Sequence, residues 1–291
     1  MSDIAETGPR GIWRLWPLRF VVFFFVLIAL YAGSQILTFV LPPKQAILPA
    51  LTFALIAAVV GAVVLVIGYR LLVRWTEHRA AGELGAARAL PHFIGGALIG
   101  FVLFASVYAI LWAYGAVKFN GWNVSSALAM EAAAALLAGI GEELIFRGGV
   151  FRLIEEGFGT LIALVLSGAL FGAIHAANPG ATLESSAAIA LEAGILLAAA
   201  YLLTRSLWLP IGLHFGWNFT EGGIFGAAVS GGKSHGLINA TLSGPQLITG
   251  GAFGPEASLP AVCVCVIAAI VMLVLAIQRG EWKGLRFRFR T

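Results

Sequence analysis

Two adjacent glutamates, Glu142 and Glu143, stand in the stretch GIGEELIFRGG, inside a run apolar enough to cross a bilayer, and Arg147 follows Glu143 by four residues. A carboxylate at the centre of a membrane helix costs about 3 kcal/mol, so an adjacent pair points to a partner or to a chemical role. On a helix Glu143 and Arg147 share a face, while Glu142 is turned about 100° away. The spacing predicts a structural ion pair between Glu143 and Arg147, with Glu142 left to face a cavity or another helix. Glu131 lies about 20° from Glu142 on the helical wheel, where it would line the same crevice or reach the outer interface.

Two further polar insertions follow. Phe171 and His175 are four apart in FGAIH, and His214 and Asn218 are four apart in HFGWN, so each pair shares a helix face. A hairpin turning at Gly157 to Gly159 would bring Glu142 and His175 to equal depth. A single buried histidine is usually a satisfied interhelical hydrogen bond; two histidines, an unpaired glutamate and an asparagine on three helices are harder to explain that way. Glu192 and Glu221 are less specific, and helix packing or the outer interface accounts for them.

These side chains suit amide hydrolysis. Glu142 in a partly dehydrated crevice is a competent base for a water shared with His175, while His214 and Asn218 can donate to the tetrahedral oxygen, a contribution of about 3 kcal/mol per donor in other enzymes. Glu142, His175 and His214 would also make a His2Glu zinc set with a fourth position open to water. No HExxH helix accompanies them. If Glu142 bound zinc the obvious base would be lost, so a glutamate-activated water without metal is the preferred reading and zinc the alternative. Intramembrane Glu and His also mark proton-coupled transporters, but neither inverted repeats nor paired broken helices are visible. A non-catalytic binding or immunity scaffold is the third reading.

The elements that must position these groups are membrane helices. Hydrophobic residues make up 60% of the chain and charged residues 11%, far below the roughly 25% charged of a soluble domain. Eight apolar runs are long enough to span: 17 to 41, 46 to 73, 93 to 115, 124 to 146, 160 to 177, 184 to 204, 207 to 228 and 258 to 277. The expectation is an all-α polytopic bundle of about eight spans, the fourth continuing as a helix beyond its apolar part. With both termini cytoplasmic, 15 of the 18 Lys and Arg residues fall inside and only Lys44, Lys118 and Lys233 outside. The first run is too long for a cleaved secretory signal. The net charge of +4 calls for no nucleic acid, since tail cations beside a span meet anionic lipid.

Three regions result: a shell of three spans over 1–123, a catalytic core over 124–228, and an external loop, last span and basic tail over 229–291. The shell spans show no buried charge, and functional polarity is confined to 131–221. Gly96 with Gly100 and Gly168 with Gly172 have the spacing of close helix contacts. Thr76 to Pro91 reads as a helical connector, and Gly222 to Pro260 as an ordered cap or re-entrant segment. Cys263 and Cys265 point about 200° apart on a helix and read as apolar filler.

The order EExxxR, FxxxH and HxxxN over residues 124–228 resembles the CPBP family of intramembrane proteases, which includes eukaryotic CAAX-processing endopeptidases and many bacterial homologues. The resemblance implies Glu142 with His175 on the water, His214 with Asn218 in support, and Glu143, Arg147 and Phe171 as motif partners; the family is often labelled metalloprotease. It implies a prenylated C-terminal peptide as substrate in eukaryotic relatives. Here a membrane-bound peptide or precursor protein in a bacterial cytoplasmic membrane is expected. Arg147 and Arg152 suggest cleavage near the cytoplasmic leaflet.

Overall fold

The computed structural model describes residues 8–40, 47–123 and 127–290; Lys44, counted above among the external charges, lies outside the described residues. Helix α1 (Trp16–Gln35) starts with Pro17 and continues as a π turn over Ile36–Val40; α2 (Ile47–Glu77) returns, and α3 (Ala86–Tyr114) runs back again. Gly115, at φ 84°, ends α3 by turning its N–H onto the carbonyls of Leu111 and Trp112. Next, α4 (Ala127–Glu143), a π segment (Leu144–Phe151) and α5 (Arg152–Phe158) form one long rod. Its partner, α6 (Thr160–His175), leaves from Gly159.

The other return strokes are also interrupted: α7 (Leu183–Ile189), a π segment (Ala190–Ile195) and α8 (Leu196–Thr204); then α9 (Trp208–Asn218) with a π segment (Phe219–Ile224); and finally the short α10 (Gln246–Thr249) and α11 (Leu259–Gln278). Five of these helical stretches are each long and apolar enough to cross a membrane, and α6 is a shorter apolar helix. Valine, isoleucine and phenylalanine side chains such as Phe25, Val63, Val102 and Ile267 remain exposed around the outside, as expected of a surface solvated by lipid. The chain is an integral multi-pass membrane protein.

The all-α expectation needs one amendment. Strands β1 (Val117–Trp122) and β2 (Ile238–Leu242) pair antiparallel, with a register shift between Phe119 and Gly121, and tie the segment after α9 to the end of α3. The connector from Thr76 to Pro91 is not a helix of its own. It is a turn with one 3-10 stretch (Gly82–Leu84), and Pro91 lies inside α3.

At the opposite end from the β pair, charges are numerous and mutually satisfied. Arg152 and Arg79 each reach Glu77 at 2.7 Å, Arg79 reaches Glu83 at 2.8 Å, and Arg205 and Lys283 close on Glu155 at 2.6 and 2.7 Å. Arg19 pairs with Glu156 at 3.0 Å while 1% exposed, and Glu77 is 2% exposed. The first two helices therefore do carry buried charge, contrary to the reading of an uncharged shell, because partners from α5 neutralise it. The tail crosses this end, with the Trp16 indole donating to the Arg288 carbonyl and the Thr160 N–H to the Lys283 carbonyl. At the turn Gly159 is obligatory, with φ 90° and no room for a Cβ beside Gly284.

Candidate active site

The hairpin fixes the register of the site. With the turn at Gly159 between α5 and α6, Glu142 on α4 and His175 at the end of α6 come to line one crevice of about 490 Å3. Asn218 on α9 lines it too, and Glu131 lines it nearer the start of α4, accepting a hydrogen bond from the His235 N–H at 3.0 Å. The remaining wall comes from Tyr31, Gln35 and Phe39 on the first helix and from Ser230, Lys233 and Ser234 after α9. Polarity is thus not confined to 131–221. Tyr31 and Gln35 are four apart in an apolar run, a polar face that the sequence displayed and that the shell reading passed over.

Glu142 is held from one side. The Tyr31 hydroxyl donates to its Oε1 at 3.1 Å, and the Gln35 amide donates to the Tyr31 oxygen at 2.8 Å. Its Oε2 has no partner among the described residues. The expectation that Glu142 lacks a partner on its own helix and faces a cavity holds, with Tyr31 supplied from another helix.

Glu143 points the other way. The Arg147 guanidinium donates to Glu143 Oε1 at 2.8 Å, and Glu143 and Arg147 are 0% and 1% exposed. Arg147 also donates to the carbonyls of Ala193 (2.7 Å) and Gly194 (3.2 Å), and lies 4.7 Å over the Phe171 ring. Those carbonyls belong to the π segment before α8, where the wider turn leaves acceptors to be met by side chains. His214 approaches the same carboxylate, with Nδ1 3.0 Å from Glu143 Oε1. Glu143 is therefore the junction between Arg147 and His214, more than a partner of the arginine alone.

The two histidines differ. His175 Nδ1 lies 2.7 Å from the Phe171 carbonyl, an acceptor only, so Nδ1 carries the proton and Nε2 is the free nitrogen. His214 does not line the crevice. It lines an adjoining chamber of about 30 Å3 with His175, Asn218, Phe171, Glu192 and Glu256. Among the described residues no three His, Cys, Asp or Glu side chains are grouped to hold a metal ion.

In and beside the chamber lie acids to which the sequence gives no site role. Glu192 accepts from the Cys265 thiol at 3.4 Å, Glu221 from the Trp217 indole at 3.1 Å, and Glu256 from the Ser230 hydroxyl at 2.7 Å. All three are buried, so Glu192 and Glu221 are not at an outer interface, and Cys265 is a hydrogen-bond partner more than filler. Burial pushes the Glu256 carboxyl up, opposed by the Ser230 hydrogen bond.

The α9 pair is set by backbone contact. A Cβ on Gly96 would overlap the Leu209 carbonyl and come within 2.7 Å of the Leu213 nitrogen, and one on Gly100 would come within 2.6 Å of the Trp217 nitrogen. Conversely, Gly212 and Gly216 leave no room for a Cβ against Phe93 and Ala97. The Gly96 and Gly100 spacing therefore seats α9, and with it His214 and Asn218. Gly168 and Gly172 do the same for α6 against the π segment, where Gly194 meets Gly168.

The crevice opens at the β end of the bundle, beside Gln35, Asn178, Lys233 and Ser234. Arg147 is not a loop charge but a buried partner of Glu143, and the charged residues of α5 are held in ion pairs beside core residues such as Leu153 and Ile154.

A comparison of the chain with curated proteins gave no match. Residues 123–220 match the family described as type II CAAX prenyl endopeptidase Rce1-like. All three motifs fall within that segment, and over these residues, about a third of its length, this membrane protein is similar to the CAAX-type protease family that its motifs resemble.

Proposed function

We propose that the chain is an intramembrane endopeptidase that cuts a peptide bond of a membrane-associated peptide or protein with a water activated by Glu142 and His175. The observation that carries this reading is the convergence of Glu142, His175 and Asn218, from three different helices, on one crevice. Tyr31 orients one carboxylate oxygen of Glu142. The second, unpartnered, is the one that takes a proton from water. His175, with Nδ1–H committed to the Phe171 carbonyl, presents Nε2 as an acceptor to the same water.

The water oxygen then bonds to the scissile carbonyl carbon while its proton passes to Glu142, and the carbonyl oxygen takes the negative charge. Asn218, whose amide always carries donors, is the natural ligand of that oxygen. His214 is anchored to Glu143 through Nδ1, which leaves Nε2 facing the small chamber. We assign it to holding Asn218 and His175 in place across the small chamber. Glu142 returns the proton to the amide nitrogen as the C–N bond breaks, releasing an amine and a carboxylate.

The test compares membrane peptidomes of cells carrying the wild type or Glu142→Gln. Peptides that lose a new terminus only in the variant identify substrate and cleavage site together. Identical peptidomes, with both proteins present at equal level, would refute the peptidase reading.

A further inference from the structure

We infer that the crevice opens to the extracytoplasmic side of the membrane, so that the substrate is a bilayer-anchored polypeptide presented from outside the cell. The substrate half of this inference rests on the peptidase reading above; the side of the opening does not. Three observations carry it.

The first is the charge asymmetry of the bundle. Arg19, Arg79, Arg152, Arg205 and Lys283 all enter ion pairs at one end, and the tail with Arg286 and Arg288 crosses that same end. Among the described residues the other end offers Lys118 on β1 and Lys233. Lys and Arg in short segments beside spans are retained in the cytoplasm, so the arginine-rich end faces inward. The second is the crevice itself. Its mouth is built from Gln35, Phe39, Asn178 and residues 229–234, all at the end opposite the arginines. No lining residue belongs to the charged network.

The third is depth. From Glu131 near the mouth to Glu142 is eleven residues of one helix, about 16 Å, or roughly half of a ~30 Å hydrocarbon layer. An extended chain covers that distance in about five residues. Phe39 and Ile174 line the crevice and are 40% and 41% exposed, so the wall offers apolar surface to an acyl chain as well as polar groups to a peptide. A polypeptide tethered to the outer leaflet, dipping about five residues below the surface, reaches Glu142; a cytoplasmic chain meets the packed ion pairs instead.

The test needs no known substrate for its first arm. In a background with Cys263→Ala and Cys265→Ala, Ser234→Cys at the mouth and Ala80→Cys at the opposite end are treated with a membrane-impermeant maleimide. The expected result is that Ser234→Cys labels at least tenfold more in intact cells than in sealed inverted vesicles, with Ala80→Cys reversed. Labelling of Ser234→Cys only in inverted vesicles would overturn the inference. In the second arm, an acylated mixed-sequence peptide library is added to right-side-out or inverted vesicles. Cleavage that Glu142→Gln abolishes should occur only in the right-side-out preparation, and its occurrence only in inverted vesicles overturns the inference again. Outward labelling with no Glu142-dependent cleavage in either preparation would uphold the side of the opening and refute the peptidase reading with its substrate.

Discussion

Replacing Arg147 by methionine tests the junction that holds the site together. The substitution keeps much of the side chain's length against the Phe171 ring but removes the donors to Glu143, Ala193 and Gly194. Breaking a buried pair by removing one partner costs about 3 to 5 kcal/mol, because the remaining charge is uncompensated. The two carbonyls lose hydrogen bonds of about 1 kcal/mol each. Against a total stability of roughly 5 to 15 kcal/mol, Arg147→Met alone should accumulate poorly and lose its monodisperse form at markedly lower temperature in detergent. Glu143→Gln also strands a buried charge and should cost toward the lower end of that range, about 3 kcal/mol, since Arg147 keeps both carbonyls and an amide oxygen can still accept from it. In the double variant no charge is stranded, so its loss should fall below that of Arg147→Met and below the sum of the singles by about 2 kcal/mol or more. Thermal unfolding followed by fluorescence-detected size exclusion measures all three. Additive losses would refute the pairing, and a double variant no better than Arg147→Met would show that the carbonyl contacts carry the whole effect.

Glu142→Gln should abolish peptide cleavage with thermal stability near wild type, because its carboxylate is held only by Tyr31; retained activity would move the base to Glu143 or Glu131. Tyr31→Phe should lower the cleavage rate about tenfold, the equivalent of one hydrogen bond, without changing stability, and an unchanged rate would remove Tyr31 from the positioning of Glu142. Gly212→Leu should unseat α9 and abolish cleavage, whereas Gly95→Leu, next to the packed Gly96 but with open space around it, should do neither; thermal stability and cleavage of both variants check this. Burial alone would raise the Glu83 carboxyl, but the Arg79 hydrogen bond and the charges of Arg152 and Arg79 hold it down to about 2. A depressed carboxylate stabilises the fold above its ordinary pKa and loses that contribution as the pH falls from about 4.5 toward 2. Thermal stability should decline over that window in wild type and less steeply in Glu83→Gln.

The parts of this molecule legible in its sequence are those where one residue type has one cheap solution. Apolar runs give the helices, the four-residue spacing of Glu143 and Arg147 gives their pair, and the near-equal distances of Glu142 and His175 from the Gly157 to Gly159 turn give the register of the hairpin. What could not be read there depends on partners remote in sequence. Glu77 reads as an exposed loop charge until Arg152, 75 residues later, packs against it. Tyr31 gains its meaning only when its hydroxyl reaches Glu142, 111 residues away. The β pair was missed because VKFNGW and INATL are short, and pairing across more than a hundred residues leaves no local period. The depth of the site is not legible for a different reason. Arg147 looks like a cytoplasmic charge in the sequence, whereas a buried arginine with a carboxylate, two carbonyls and an aromatic face around it says nothing about which water is near.

The same arginine explains how such a site can be both polar and rigid. A hydrolytic crevice needs Glu142 unencumbered on one oxygen, which is destabilising in a membrane unless its surroundings are fixed by something else. Here that work falls on the neighbouring residue. Glu143 is turned into the packed interior, where Arg147, one turn further along the rod, spans to the π segment before α8 and His214 arrives from α9. One carboxylate thus ties together three of the four polypeptide strokes of the core, and α3 presses α9 into that arrangement through glycine contacts on both sides. The adjacent glutamates are therefore a division of labour set by helix geometry: a 100° step places the first on the crevice and the second in the packed interior. Exchanging their roles would require rotating the whole of α4, which the Ile211 and Phe215 backbone packed against Gly139 prevents.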